Sequence, residues 1–146
     1  MKKLFTVLFM SFMLLAQLKA QDLATDYVVI DSSAQNLQQL KALYLEQAHT
    51  FFNDNTKPAP YIIPRIIEGT YPNLHLFVAA QPGSINFFMI AITAANAQDY
   101  IADFLMWKNH ITSTVVIHNS EVFTGTAGIA LKAKLEELTG LTFIAQ

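Results

Sequence analysis

The sequence predicts an α/β domain of three layers, with a mainly parallel sheet that is covered by helices on both faces. Two observations carry this prediction. Segments typical of strands and of helices alternate along the chain after the first 20 residues, which is the order that parallel βαβ units require. The strand segments are also apolar at consecutive positions rather than at every second position, as in sheets that are buried on both faces.

In the first half of the domain, apolar runs and helix breakers mark the elements. Residues 26–31 (DYVVID) form an apolar, β-branched run typical of a buried strand, and residues 49–53 predict a second, shorter strand. Between them, Asn36 opens a capping-box pattern and predicts the start of a helix. After a turn, a further helix is expected to begin near Ile63, because Pro64 is tolerated only in the first turn of a helix.

The second half predicts a similar alternation, with one helix marked more clearly than the rest. That helix covers residues 125–139, where alanine and leucine recur on one face and Gly140 supplies the residue that ends a helix. The other expected segments are a strand at 74–80, a strand or hairpin arm at 84–92, a helix capped by Asn96 with Asp99 in its first turn, a strand at 112–118 and a last strand at 141–145.

The first 20 residues have the three parts of a secretory signal peptide. Met1-Lys2-Lys3 is a basic start, residues 4–15 are almost wholly apolar, and Leu18-Lys19-Ala20 precedes a polar glutamine. We therefore predict a signal peptide at 1–20, a single domain at 21–146, and a location in the periplasm or outside a bacterial cell. An uncleaved anchor is the alternative, although the apolar run is short for a bilayer. No membrane span is expected after cleavage.

The charge and the cysteine count exclude several classes of function. The chain has 9 basic and 11 acidic residues, and three of the basic ones lie in the leader, so the domain carries a formal charge of 6 − 11 = −5. Since there is no basic run, nucleic acid is not expected as a partner. The chain has no cysteine, which excludes disulfides, a cysteine nucleophile and cysteine metal ligands.

Two strand ends are candidates for a site, because open parallel sheets bind ligands at the carboxyl ends of their strands. The first is residues 79–84 (AAQPGS), and the second is residues 118–121 (HNSE). The pocket predicted from these two segments consists of Gln81, Gly83, His118, Asn119, Ser120 and Glu121.

Several short motifs resemble a known family. They are Gln81-Pro82-Gly83-Ser84, Trp107, Gly125-Thr-Ala-Gly128, Leu138-Thr-Gly140 and the opening stretch at 27–33. Together they resemble a bacterial extracellular domain of unknown function, which carries a Ser-His-Gly-x-Pro-Gly motif after one strand and a Gly-Cys-Asn motif after the next core strand. That pairing of His and Cys is similar to the arrangement in caspase-like and gingipain-like cysteine peptidases. The resemblance implies a caspase-like α/β fold.

At the catalytic positions the sequence departs from this family. The family's His falls on Ala79 and its Cys on Ser120, while its glycines fall on Ala80 and Asn119 and its Asn on Glu121. A Cys-His dyad needs a thiolate and a nearby base, and an alanine supplies no base. The resemblance therefore implies the fold and argues against the peptidase activity, so that the domain would be a degenerate pseudoenzyme.

Ser120 has two interpretations. Its hydroxyl either bonds a nearby backbone group within a turn, or it is a nucleophile served by another histidine. His118 would share a face of an extended strand with Ser120, roughly 6–7 Å away, which is too far for a direct hydrogen bond unless the chain bends. His75 is expected at the start of its strand, at the far end of the sheet, as a surface or half-buried side chain.

The remaining polar residues predict no metal site and no cofactor. The four histidines show no His-x-x-x-His spacing. The glycines at 125 and 128 indicate a helix start rather than a phosphate loop, since no lysine of the Walker type follows them. Asp99 and Asp103 are interpreted as a solvated helix face, and Trp107 as a core residue.

These features predict a secreted, non-catalytic domain that acts in binding or surface interaction, with an unidentified protein or cell-surface ligand as partner. The alternative is a serine hydrolase with Ser120 as nucleophile in a rebuilt site. A third hypothesis is a structural module that assembles with other surface proteins, which an exposed apolar patch within residues 84–92 would favour.

Overall fold

The computed structural model describes residues 23, 25–47, 49–53 and 58–146. The predicted signal peptide, and residues 55–57 of the turn expected at 55–60 before the second helix, lie outside the described residues. In chain order the elements are β1 (Tyr27–Asp31), α1 (Leu37–Tyr44), β2 (Thr50–Asn53), α2 (Ala59–Ile66), β3 (Tyr71–Phe77), β4 (Ala79–Gln81), β5 (Ser84–Asn86), β6 (Ala91–Thr93), a 3-10 helix (Ala97–Tyr100), α3 (Ile101–Trp107), β7 (Ile111–Ile117), α4 (Gly125–Thr139) and β8 (Thr142–Ala145).

Five of the strands form a parallel sheet in the order β2-β1-β3-β7-β8. All four neighbouring pairs in this sheet run parallel. Each of these pairings joins strands that are separated along the chain by at least one helix, as parallel connections require. The predicted α/β class and mainly parallel sheet are therefore confirmed.

Strands β4, β5 and β6 form a second, small antiparallel sheet. The single strand expected at 74–80 is divided at Val78, where β3 of the main sheet ends and β4 begins. The arm expected at 84–92 is likewise divided into β5 and β6, with Phe87–Ile90 between them. These divisions place a three-stranded meander at the carboxyl edge of the main sheet.

Helices cover both faces of the main sheet, but unequally. On one face, α2, α3 and α4 bury a large cluster that includes Val29, Leu76, Ile117, Trp107 and Leu131. On the other face, a smaller cluster joins α1 to β1, β2 and the end of β3, through Tyr44, Val28, Ile30, Phe52 and Phe77. Among the described helices, only α1 contributes to this second cluster, which leaves the β3-β7-β8 part of the face for a cavity.

The two helix starts expected at asparagines are capped differently from the prediction. Asn36 adopts a left-handed conformation with φ 57° and makes no side-chain cap. Its carbonyl accepts the amides of Gln39 and Leu40 instead. The side chain of Asn96 also makes no helix cap, because its Oδ1 accepts the Thr93 amide at 2.8 Å. An asparagine side chain can bond a neighbouring turn as readily as a helix start.

Helix α2 begins at Ala59 rather than near Ile63, so the expected start was wrong. Pro64 lies inside this helix, where it supplies no amide for the carbonyl of Pro60 four residues earlier. The indole Nε1 of Trp107 donates to that carbonyl at 3.2 Å. A side chain of α3 thus provides the hydrogen bond that the proline removes, and Trp107 is a buried core residue, as expected.

Helix α4 covers the residues that its pattern predicts, Gly125–Thr139, and Gly140 follows in a left-handed conformation with φ 68°. The amide of Gly140 donates to the Glu136 carbonyl at 2.8 Å, which closes the helix. None of the helices in the described part of the chain has the length and apolar character needed to cross a membrane.

Candidate functional site

The two segments that the sequence singles out meet at the carboxyl edge of the sheet. The side-chain amide of Asn119 donates to the Ala80 carbonyl at 3.1 Å. Nearby, the amide of Gly83 donates to the Val122 carbonyl at 2.9 Å. These two hydrogen bonds join the β4-β5 hairpin to the loop between β7 and α4.

Gly83 allows this close approach because of its backbone and its missing side chain. It follows Pro82 in the tight turn between β4 and β5 and has φ 80°, as in a type II turn. A Cβ atom at this position would lie 2.5 Å from the Cβ of Ala127, on the first turn of α4. The Pro-Gly pair therefore sets how near the hairpin lies to the helix, while Gln81 is exposed.

The loop after β7 is a series of turns that ends in α4. The amide of Glu121 donates to the Asn119 side-chain oxygen at 3.1 Å, and the Thr124 hydroxyl donates to the Glu121 carbonyl at 2.7 Å. Ser120 lies between these contacts and is exposed. Across the edge, Ala79 offers only its backbone amide, which donates to the Ser33 hydroxyl at 3.1 Å.

The ring of His118 lies on the sheet face rather than in this loop. It stacks on the ring of Phe77, with centroids 3.9 Å apart and planes 7° from parallel. The amide of Asn119 donates to the Ile117 carbonyl, two residues earlier, so the chain turns immediately after His118. The estimate of roughly 6–7 Å between His118 and Ser120 assumed one extended strand. Because the chain turns after His118, that assumption was wrong.

His75 was misplaced by the sequence interpretation, which put it at the far end of the sheet and near the surface. Strand β3 begins at Tyr71, three residues earlier than expected, so that His75 is the fifth of its seven residues. The side chain is buried at 7% exposure, and its Nδ1 lies 2.9 Å from Nε2 of His118. Because side chains alternate along β3, His75 lies on the same face of the sheet as Phe77, on which the His118 ring stacks. This alternation is the sequence signal that could have linked His75 to His118.

Asp26 completes a chain of three side chains. Its Oδ2 lies 3.0 Å from Nε2 of His75, and its two oxygens accept the Asn73 side-chain amide at 3.1 and 3.2 Å. If both histidines are neutral, Nε2–H of His75 donates to Asp26. Its Nδ1 then accepts the Nε2–H of His118. Burial lowers the pKa of His75, while the hydrogen bond and the charge of Asp26 act in the opposite direction.

This chain borders a cavity of about 440 Å³ on the part of the sheet face that α1 leaves uncovered. Leu23, Val116 and Ile144 form its apolar wall. Its polar lining consists of Asp26, Asn73, His75, Thr114, His118 and Gln146. Of the residues in the predicted pocket, only His118 borders this cavity; the others lie at the carboxyl edge or in its loops.

A buried carboxylate organises the other side of the carboxyl edge. Asp31 ends β1 and is 1% exposed, and its oxygens accept hydrogen bonds from the Asn53 side chain at 2.7 Å, the Ser33 amide at 2.9 Å and the Phe88 amide at 3.1 Å. Phe88 and its neighbour Met89 are 60% and 58% exposed. Asp31 thus anchors a tip of two exposed apolar side chains at this edge.

The other histidines have structural contacts. Nδ1 of His49 lies 3.0 Å from the Tyr71 hydroxyl, and Nδ1 of His110 lies 2.9 Å from the Gly69 carbonyl. Among the residues that the structure describes, no three His, Cys, Asp or Glu side chains converge as a metal-binding group. Asp103 was expected on a solvated helix face. In the structure its carboxylate instead pairs with the guanidinium of Arg65 at 3.0 Å.

Comparison with known proteins gives one match. Residues 27–146 match the family described as "Domain of unknown function (DUF4347)". No curated protein and no solved structure is significantly similar to the chain.

Proposed function

Because the chain belongs to DUF4347, a family of domains of unknown function, we propose its role from its own residues: it is an exported, non-catalytic binding domain with a degenerate caspase-like site. One observation carries the proposal. The two loops where the resemblance places a catalytic pair are hydrogen-bonded together, yet the position of the base is Ala79. The framework of a site is present without the group that would activate a nucleophile.

The hydrogen bonds of this edge support a structural use of its polar groups. The side chain of Asn119 donates through its nitrogen to one backbone carbonyl and accepts a backbone amide through its oxygen. The backbone amide of Ala79 donates to the Ser33 hydroxyl in the β1-α1 loop. A donor that holds a loop in place is not available to stabilise the oxyanion of a reacting carbonyl. This edge is therefore better suited to presenting a surface than to catalysis.

The surface we assign to binding is the apolar tip formed by Phe88 and Met89. Large apolar side chains that are mostly exposed, on a turn fixed by a buried carboxylate, are suited to serve as anchors in a protein interface. The tip lies within residues 84–92, where an exposed apolar patch would favour the hypothesis of a structural module that assembles with other surface proteins.

Binding by the tip can be tested with paired variants. Purified labelled protein is applied to washed cells and isolated envelopes of the producing bacterium. Replacing Phe88 and Met89 by serine should weaken saturable binding about tenfold or more, as loss of interface anchors does. The control replaces Leu45 and Ile129, which are 71% and 66% exposed, by serine. Equal binding by both double variants would show that the tip is not the binding surface.

The absence of catalysis is tested separately by covalent labelling with a fluorophosphonate probe. We expect no labelling of the purified protein, and Ser120→Ala serves as control. Labelling that disappears in the Ser120→Ala variant would identify a serine hydrolase and overturn the non-catalytic proposal. This result would not depend on the outcome of the binding experiment.

One observation favours the serine hydrolase as a second candidate. His118, two residues before Ser120, is the outer member of the Asp26–His75–His118 chain, and an oriented histidine is the usual partner of a serine nucleophile. Because the His118 ring stacks on Phe77 over the sheet face, the loop would have to rearrange to bring Ser120 to it. In this case each of the single variants His118→Ala and Ser120→Ala would abolish fluorophosphonate labelling.

Export is the remaining part of the proposal and rests on residues 1–20. Sequencing the amino terminus of the protein recovered from the periplasm or the medium should give Gln21 as the first residue. A cell-associated protein that begins at Met1 would instead indicate the uncleaved anchor.

A further inference from the structure

The cavity on the sheet face has an apolar strip between polar side chains. Val116 of β7 pairs with Ile144 of β8, and both side chains line the cavity. Thr114 lies two residues before Val116 and His118 two residues after it, so that all three share this face. Gln146 follows Ile144 in the same way. The polar ends of the strip are therefore about 13 Å apart along β7.

The charge of the lining favours an uncharged ligand. Asp26 is the charged side chain among the described lining residues, and no lysine or arginine is among them, so this lining does not attract an anion. The carboxylate is 5% exposed and already takes part in three hydrogen bonds, two with Asn73 and one with His75. An ammonium ion would have to compete with donors that occupy most of its roughly four acceptor positions.

The uncharged polar groups of the lining suit hydroxyl groups. The side chains of Asn73, Thr114 and Gln146 each contain a donor and an acceptor. Because the nitrogen of Asn73 donates to Asp26, this side chain can offer its Oδ1 to a ligand. A hydroxyl group likewise both donates and accepts, and the carbon-bound hydrogens of a sugar ring suit an apolar strip. A saccharide therefore matches both parts of the cavity.

Two polar side chains of the lining are held in place without a ligand. Nε2 of His118 lies 2.9 Å from Nδ1 of His75, and the His118 ring also stacks on Phe77. Asp26 in turn bonds both His75 and Asn73. Groups that are fixed in advance lose less conformational freedom on binding. The buried Asp26–His75–His118 chain thus provides a rigid frame for a binding site.

We propose that this cavity binds a neutral saccharide of one or two pyranose rings. A ring face lies on Val116 and Ile144, and the hydroxyls bond Asn73, Thr114 and Gln146. The volume of about 440 Å³ lies within the range of roughly 300–1,000 Å³ that is typical of small-molecule sites. The site goes beyond the proposed function, because it does not include the apolar tip. Export would bring it to the polysaccharides of the cell surface.

The test follows the methyl NMR signals of the purified protein during titration with methyl β-D-glucopyranoside, N-acetyl-D-glucosamine or maltose. We expect saturable shifts with at least one of these sugars, largest at Val116 and Ile144. The double variant Thr114→Val, Gln146→Ala should weaken binding about tenfold or more, because two hydrogen bonds are lost. Its matched control is Thr126→Val, Gln98→Ala, which changes exposed residues outside the lining and should bind like the native protein.

A charged probe tests the electrostatic part of the proposal. Glucuronate should bind at least about fivefold more weakly than methyl β-D-glucopyranoside, because Asp26 repels its carboxylate and the described lining offers no cation. The proposal would be overturned by the absence of saturable shifts with all three neutral sugars, or by equal affinities of the two double variants. Tighter binding of glucuronate, or of methylammonium, would also overturn it.

Discussion

At the scale of single residues, Asp31 and Gly83 determine the shape of the carboxyl edge. Asp31 accepts hydrogen bonds from the loop that follows it and from two segments distant in the chain, so one carboxylate fixes β2, the β1-α1 loop and the apolar tip together. Gly83 sets how closely the β4-β5 hairpin approaches α4. Each makes a prediction about stability that does not depend on the proposed function.

We expect Asp31→Ala to destabilise the protein by about 3 kcal/mol, because it leaves several buried or partly buried donors without an acceptor. Asp31→Asn, which keeps one carbonyl oxygen, should cost less. Urea unfolding measures both, with the exposed Asp99→Ala as a control that should change the free energy of unfolding by about 0.5 kcal/mol or less. A loss for Asp31→Ala no larger than this control would show that the carboxylate does not organise the edge.

Gly83→Ala should cost about 3 kcal/mol, from the left-handed conformation and from overlap with Ala127. The matched control is Gly69→Ala, because Gly69 has φ 89° but nothing within 4 Å of an added Cβ. It should lose only about 1–2 kcal/mol for the backbone. Adding Ala127→Gly to Gly83→Ala should cost less than the sum of the two single changes. Equal losses at the two glycines would contradict the close approach.

At the scale of elements, two side chains complete hydrogen bonding that a helix or strand lacks. Trp107 of α3 bonds the Pro60 carbonyl, which Pro64 leaves without an amide. Glu136 of α4 accepts the Phe143 amide of β8 at 2.9 Å. Because β8 is an edge strand of the main sheet, this contact also occupies a backbone donor that could otherwise pair with another chain.

Trp107→Phe should destabilise the protein by about 2 kcal/mol, since it removes the donor for a buried carbonyl and part of a core side chain. The same change in a Pro64→Ala background should cost less, because alanine supplies an amide to the Pro60 carbonyl within α2. A double-mutant cycle by chemical unfolding measures this coupling. Additive effects would mean that the indole contributes by packing alone.

Glu136 makes the stability depend on pH in a defined direction. Burial acts to raise its pKa, but the hydrogen bonds from Lys132 and from the Phe143 amide outweigh it and lower the pKa below 4.5. A carboxyl whose folded pKa is lowered stabilises the fold above its unfolded pKa and loses this effect as the pH falls through the folded value. The difference in stability between the native protein and Glu136→Gln should therefore shrink below about pH 4. A difference that does not change with pH would contradict this assignment.

At the scale of the whole molecule, much of the fold could be predicted from the sequence, but the cavity could not. The parallel sheet, α4 and the meeting of the β4-β5 hairpin with the loop after β7 follow from apolar runs, Gly140 and the rule that strand ends share one edge. The Asp26–His75–His118 chain depends on where β3 begins, and a shift of a few residues changes where His75 lies along the sheet. Strand ends are set by pairing with neighbours distant in the chain, which local pattern does not encode.

The strand pairings of the two sheets differ in their separation along the chain, and this difference has a consequence for the order of folding. In the main sheet every strand pairing must first close a long loop, which is slow. The β4-β5-β6 meander pairs strands that are neighbours in the chain, and such hairpins form within about 1–10 μs. The turn that carries Phe88 and Met89 thus belongs to the part of the chain able to form its own contacts earliest, before the parallel sheet is complete.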